Sequence, residues 1–168
     1  MTACLLRSIS TRVNRRWIIV ALAVIAAAAC ALSVQGQQWW TLARETSVIE
    51  IGPAGAQKCF AGDCEPLGLG WIGAGERWMR LGIATWAGGM IAMLALLALA
   101  ATVAAKRRPV LLAKVALVAL ATVTLAGTLF VGLFPGLPGA TLDRGPLLLA
   151  LALAAGVPAA LLVMRSPT

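Results

Sequence analysis

The chain contains at residues 17–34 the run WIIVALAVIAAAACALSV, eighteen residues without a charged side chain. A helix of this length is enough to cross the hydrocarbon core of a bilayer, which is roughly 30 Å thick. Three more such runs follow at residues 81–105, 110–134 and 147–164, the second of these with Lys114 near its start. Because the backbone inside lipid must satisfy its own hydrogen bonds, we expect each run to form a transmembrane helix.

The composition of the chain agrees with lipid as its solvent. Of its 168 residues, 61% are apolar and 12% are charged, whereas about a quarter are charged in a soluble domain. A net charge of +8 could suggest a nucleic-acid partner. The basic residues lie at the ends of apolar runs, however, and form no stripe with aromatic residues, so we expect the bilayer as a partner and no nucleic acid. Abundant Ala and an excess of Arg over Lys are typical of a high-GC bacterial genome.

The charges also predict the direction of crossing. One side of the four spans carries nine basic residues and no acid, and the other carries five basic residues and all six acids. An excess of Lys and Arg marks the cytoplasmic side. The basic N-terminus at residues 1–16, a tight turn at 106–109 and the C-terminus at 165–168 are therefore predicted to be cytoplasmic, in a multi-pass protein of the plasma (inner) membrane. The residues that set this direction are Arg15, Arg16, Lys106, Arg107 and Arg108.

Some features of the spans allow two interpretations. The first span could be a signal segment, since residues 27–30 resemble a lipoprotein cleavage box and residues 14–17 a twin-arginine signal. It continues past Cys30 to residue 34, which favours an uncleaved helix.

Pro158 should kink the fourth helix. The tryptophans near span ends are expected to anchor at the membrane interface or to pack against a neighbouring helix: Trp17, Trp39, Trp40, Trp78 and Trp86.

The segment between the first two spans, residues 35–80, is predicted to form a small antiparallel sheet on the helix bundle. Residues 47–51 are rich in β-branched side chains and end at a Gly-Pro turn. Residues 57–60 and 64–67 are the expected arms of a hairpin around residues 61–63. Residues 73–80 form either a short amphipathic helix or an extension of the second span. The second outer loop, residues 135–146, is short.

Cys59 and Cys64 lie on the facing arms of this hairpin, outside the cytoplasm, so we expect a disulfide between them. The alternative is a redox-active or metal-binding pair. The chain has no His, and no further Cys lies outside, so we expect no metal site and no cofactor. Cys4 and Cys30 are expected to be ordinary free thiols.

The spans lack the groups on which most membrane chemistry depends. They contain no acid, and no Gly-rich phosphate loop or nucleophile elbow is present, so we do not expect an enzyme. Thr122, Thr124 and Thr128 form one polar stripe on the third span. They could line a permeation path, but threonine also donates to its own helix backbone.

In its layout the chain resembles the claudin and peripheral-myelin-protein group of tetraspan proteins. That group carries a Trp after the first helix, a Gly-Leu-Trp motif, two disulfide-bonded cysteines on adjacent strands, and an Arg before the second span. The matching residues here are Trp39 or Trp40, Gly52, the Cys59–Cys64 pair and Arg80. Pro53-Ala54 stands where that motif has Leu-Trp. The resemblance implies a four-helix bundle with a disulfide-bonded outer sheet, and does not extend to barrier activity.

The predicted fold is therefore an all-α membrane protein, a four-helix transmembrane bundle with a small disulfide-pinned β-sheet in the first extracytoplasmic loop. Our leading functional hypothesis is a non-catalytic tetraspan that acts through protein–protein contacts made by its outer loop. It would be an accessory or assembly subunit, or a cell-envelope adhesion protein, with other membrane proteins or further copies of itself as partners. The alternative is an oligomeric channel or small-solute transporter.

Overall fold

The computed structural model of the protein describes residues 2–36, 38–73, 75–107 and 109–165, with side chains from residue 15 onward. Its four long helices are α1 (Thr2–Gln35), α2 (Glu76–Ala104), α3 (Val110–Gly132) and α4 (Gly145–Met164). Each is long and apolar enough to span a membrane, α1 through its part from Arg15 to Gln35. The prediction of four apolar helices is confirmed.

The helices begin and end at different residues from the predicted spans. α1 begins at Thr2, so the basic N-terminal segment continues the first span as helix. α2 begins at Glu76, so most of residues 73–80 extends the second span rather than forming a separate helix. α4 has Pro146 in its first turn, where a missing N–H removes no hydrogen bond. It continues through Pro158 to Met164, and the kink there stays a prediction.

The strands form one antiparallel sheet at one end of the bundle. They are β1 (Trp40–Ala43), β2 (Val48–Gly52), β3 (Gly55–Phe60), β4 (Asp63–Leu67) and β5 (Ala140–Leu142), in the order β4-β3-β2-β1-β5. A short 3-10 helix, Leu69–Ile72, connects the sheet to α2. The predicted sheet between the first two spans is confirmed, and the segment between α3 and α4 adds the edge strand β5, which we had not predicted.

Each helix packs against two neighbours, in the ring order α1–α2–α3–α4. The middle of the bundle is filled almost entirely by buried alanines, such as Ala26, Ala92, Ala116 and Ala152. Small side chains let helix backbones approach closely, which is how helices associate when lipid removes the hydrophobic driving force between them. The layer nearest the sheet is filled instead by aromatic and large aliphatic residues.

The register of the sheet gives it two different faces. Trp40 and Leu42 of β1 lie opposite Ile51 and Ile49 of β2, and these side chains pack toward the helices. The alternate positions, such as Thr41 and its partner Glu50, point away from them. The inner face of the sheet and the helix ends therefore share one hydrophobic core.

Candidate functional site

The hairpin of β3 and β4 carries the disulfide that the sequence predicted. Cys59 lies directly opposite Cys64 in the register, and the two are bonded with their Cα atoms 4.0 Å apart. The connecting turn has two residues, Ala61 and Gly62, with φ angles of 48° and 98°. Positive φ at both central positions is typical of the type I′ turn, which suits the right-handed twist of the strands. The predicted three-residue turn was wrong by one residue, since Asp63 already belongs to β4.

The end of this hairpin presents an exposed aromatic ring among charges. Phe60 is 58% exposed, beside the disulfide and opposite Asp63 in the register. Lys58 and Glu65, which also face each other across the two strands, are exposed on the same side of the sheet as Phe60. We call Lys58, Phe60, Asp63 and Glu65 the hairpin-tip face. Phe is enriched in protein interfaces relative to the rest of the surface, and the rim of such interfaces is polar.

Trp39 and Trp40 are core residues rather than interfacial anchors. They are buried, as is Trp78, so of the two interpretations the sequence allowed, packing against neighbours is the one observed for these three. Trp40 stacks on Phe134 with ring centroids 4.3 Å apart, and Trp78 stacks on Phe130 at 4.4 Å. Trp17 and Trp86 are exposed. The buried aromatic rings join the sheet to α2 and α3.

Two indole N–H groups bind the free ends of helices. Trp39 donates to the carbonyl of Ser33, 2.7 Å away, in the last turn of α1. Trp78 donates to the carbonyl of Phe130, 2.9 Å away, in the last turn of α3. The last four carbonyls of a helix have no partner within it, so each indole satisfies a group that burial would otherwise penalise. The first bond fixes the residue that precedes β1 to the end of α1, and the second joins the start of α2 to the end of α3.

The segment between α3 and α4 covers the other edge of the sheet. The Thr41 hydroxyl donates to Asp143 Oδ2 at 2.5 Å, and the Arg144 backbone N–H donates to Asp143 Oδ1 at 2.6 Å. These two hydrogen bonds, together with the positive charge of Arg144, hold the pKa of Asp143 below its ordinary value. The Asp143 N–H donates to the carbonyl of Trp39. A three-residue strand is too short for a sequence pattern, since Thr141 between Ala140 and Leu142 gives only one alternation of polar and apolar residues.

Gly52 and Arg80, the other residues that matched the family motif, have separate surroundings. Gly52 ends β2 next to Pro53, which is fully buried. A Cβ added at Gly82 of α2 would lie 2.6 Å from the Pro53 carbonyl oxygen, so this turn rests directly on α2. Arg80 forms an ion pair with Glu76 at 2.7 Å, and both side chains are largely exposed. Such a pair contributes little to stability.

The predicted topology-setting residues lie at the opposite end of the bundle. Arg15 donates to the carbonyl of Leu162 at 3.2 Å, near the C-terminus of α4, where a cation is favourable. The Arg16 guanidinium lies over the ring of Trp17, 5.0 Å from its centroid. Lys106 and Arg107 form the turn between α2 and α3. Arg108 lies outside the described residues.

The threonine hydroxyls of α3 and the buried hydroxyls of the described helices form hydrogen bonds within the fold. Thr122, Thr124 and Thr128 each donate to the carbonyl four residues earlier in α3. Ser33 and Thr85 are buried, and their hydroxyls donate to the carbonyls of Gly145 and Leu81. Cys30 is a buried free thiol. In the part of the chain that the structure describes, no three Cys, Asp or Glu side chains group closely enough to hold a metal ion.

No protein-family model matches the chain, and no curated protein sequence is significantly similar to it.

Proposed function

We propose that the protein is an integral membrane protein that crosses the bilayer four times. Support comes from the outward sides of the four helices, which are apolar. On α3, for example, Leu111 is 74% exposed and Val118 is 67% exposed. A soluble protein rarely presents apolar surface along every helix of a bundle, whereas lipid covers such a surface at no cost.

The sheet lies outside in this proposal, and both ends of the chain lie in the cytoplasm. All six acids belong to the sheet, to the loops beside it or to the first turn of α2. The opposite end of the bundle carries Arg15, Arg16, Lys106 and Arg107 without a nearby acid. This asymmetry agrees with the positive-inside rule.

Cysteine labelling in intact cells tests this orientation. In a background with Cys4 and Cys30 replaced, Glu45→Cys should react with a membrane-impermeant thiol reagent, and Lys106→Cys should react only after the membrane is permeabilised. Labelling of Lys106→Cys in intact cells would contradict the orientation. If both variants fold in water without lipid or detergent, the proposal that the protein spans a membrane fails.

Within that membrane topology, the protein acts through protein–protein contacts, with the hairpin-tip face as the recognition surface. The observation that carries this proposal is the exposed Phe60 ring next to the Cys59–Cys64 disulfide. A ring held on a cross-linked hairpin loses little conformational freedom when it binds, which favours affinity. The protein would serve as an accessory or assembly subunit, or as an adhesion protein of the cell envelope.

The resemblance to the claudin and peripheral-myelin-protein group is part of this proposal. It gains support from two bonded cysteines on adjacent strands and from Trp40, which lies just after α1 and packs under the sheet. An oligomeric channel or transporter is the alternative. The threonines of α3 give no support to a channel, because their hydroxyls donate to carbonyls of their own helix.

Site-specific photocrosslinking tests the recognition surface. A photoreactive amino acid in place of Phe60 should give a discrete adduct with another polypeptide in native membranes. The matched control replaces Leu111, which is equally apolar and exposed at the other end of the bundle. Adducts of the same pattern from both positions, or none from Phe60, would refute the recognition role. The mass of the adduct separates a second copy of the chain from a different protein.

A further inference from the structure

A groove of about 350 Å³ opens on the outer flank of the α2–α3 pair. Its sides are the exposed apolar side chains of Ile91, Val115 and Val118. Gly88 and Ala119 also line it, and both are buried, so their small size leaves the space between the two helices open. A volume of this size is typical of a site for a small molecule or a segment of one.

The groove is lined by one charged group, and its one hydroxyl group already donates a hydrogen bond within the protein. Thr122 lines it, but its hydroxyl donates to the carbonyl of Val118 at 2.9 Å. Lys114 also lines it, and its side chain is exposed. No carboxylate lies within ion-pair distance of Lys114 among the described residues, which include all six acids of the chain. The groove is thus an apolar slot with an unpaired cation at one end.

We propose that this groove binds an anionic phospholipid, with one acyl chain along Ile91, Val115 and Val118 and the phosphate on the Lys114 ammonium. The proposal depends on membrane insertion, as proposed above, and not on the protein contacts of the outer sheet. Lys114 lies one turn into α3, so its side chain can extend to the headgroup level of the leaflet beside the turn at Lys106 and Arg107. Basic pockets between helices on this side of a membrane select anionic headgroups.

Charge distinguishes this occupant from two others. A second copy of the chain could fill the slot with an apolar helix. It would bring no Asp or Glu to Lys114, because all of these residues lie at the sheet end of the molecule or in the turn that begins α2. A zwitterionic lipid would bring its own positive group close to Lys106 and Arg107. Only an anionic lipid satisfies the slot and the cation together.

Native mass spectrometry of the purified full chain tests the proposal, with phosphatidylglycerol and phosphatidylcholine of identical acyl chains as probes. The wild-type protein should retain phosphatidylglycerol preferentially. Lys114→Gln should lower its apparent affinity for phosphatidylglycerol about fivefold, the effect expected from one basic residue at the headgroup level. Lys114→Arg should keep the preference. Val118→Trp, which fills the slot from an exposed position, should lower the affinity for both lipids.

The matched control is Arg44→Gln, which removes one positive charge from an exposed position beside the sheet and should behave as the wild type. An equal loss in Arg44→Gln and Lys114→Gln, or unchanged binding in Val118→Trp, would reduce the effect to general surface charge and overturn the site. Displacement of the lipid by excess glycerol phosphate would overturn the role of the acyl chain. Thermal unfolding of each variant identifies any that does not fold. If Lys114→Gln does not fold, the lipid affinities of Lys114→Arg and Val118→Trp decide the proposal.

Alkaline extraction of membranes separates this proposal from the one on which it rests. A protein that is released with peripheral proteins refutes membrane insertion and the lipid site together. A protein that stays in the membrane but binds both lipids equally refutes the lipid site only.

Discussion

The indole of Trp39 lies so close to Gly145 that a Cβ built on the glycine would stand 2.2 Å from Trp39 Cδ1. The same atom would lie 2.8 Å from the backbone carbonyl oxygen of Gln38, which accepts the Gly145 N–H. Neither neighbour can move easily, because Trp39 is 1% exposed and its N–H is bonded to Ser33. The start of α4 is therefore fitted to the first residues after α1.

Gly145→Ala should destabilise the protein by about 1–3 kcal/mol, the usual cost of overpacking a core. The measurement is thermal or denaturant unfolding in a mild detergent. Gly132→Ala is the matched control at the same end of the bundle, because a Cβ there meets nothing within 4 Å. It should be neutral or slightly stabilising, since alanine favours a helix more than glycine does. Equal effects of the two changes would contradict the packing described for Trp39.

Ala61→Asn should stabilise the β3–β4 hairpin by about 0.5–1 kcal/mol. Ala61 has a φ of 48°, a conformation that costs an ordinary L-residue roughly 1 kcal/mol. Asn-Gly is the favoured pair for a turn with two positive φ angles. Hydrogen exchange of the β3 and β4 amides measures the gain. Ala54→Asn, in the turn between β2 and β3, should give none, because Ala54 does not have a positive φ. A gain at both positions would point to a general effect of asparagine.

Replacing both Cys59 and Cys64 by Ala should destabilise the outer hairpin by up to about 2 kcal/mol, because the closed loop is short and the loss of chain entropy is modest. The amides of β3 and β4 should exchange faster, while those of α1 to α4 keep their protection. The crosslink from position 60 should weaken in the same variant. Unfolding of the helices together with the hairpin would show that the disulfide supports the whole fold and not only the hairpin.

The edge between β1 and β5 should loosen in acid. The pKa of Asp143 is lowered in the folded state, first by its hydrogen bond from Thr41, from an ordinary value of 3.8. The stability that its carboxylate contributes is therefore complete above that value, and is lost as the pH falls through the lowered pKa. Hydrogen exchange of the β5 amides, compared between the wild type and Asp143→Ala at each pH, should differ near neutrality and converge below pH 3.8. A constant ratio at every pH would contradict this.

The sequence predicts those helices and strands whose pattern is contained within the element itself. Four apolar runs with charged ends predict the helices, because length and hydropathy alone decide whether a helix can cross lipid. The β-branched run before Gly52 and the two closely spaced cysteines predict β2 and the hairpin, since each signal lies within a few residues of the element it defines.

The elements that depend on distant partners could not be predicted. β5 exists only because Ala140–Leu142 can pair with β1, about a hundred residues earlier. Tryptophan suits both a membrane interface and a buried site with a hydrogen-bond acceptor. The burial of Trp39 and Trp78 depends on the carbonyls that α1 and α3 present to them, which no local pattern reveals. Likewise, the groove beside Lys114 arises from Gly88 on a different helix.

The pairing of Trp40 with Leu142 sets an order for the synthesis of the protein. A ribosome must translate the whole of α2 and α3 before β5 can reach β1. Until then the edge of β1 presents unpaired N–H and C=O groups to any strand nearby, including that of a neighbouring nascent chain. Completion of the sheet is thus a late event in biogenesis, and a chain that stops after α3 would leave this edge open.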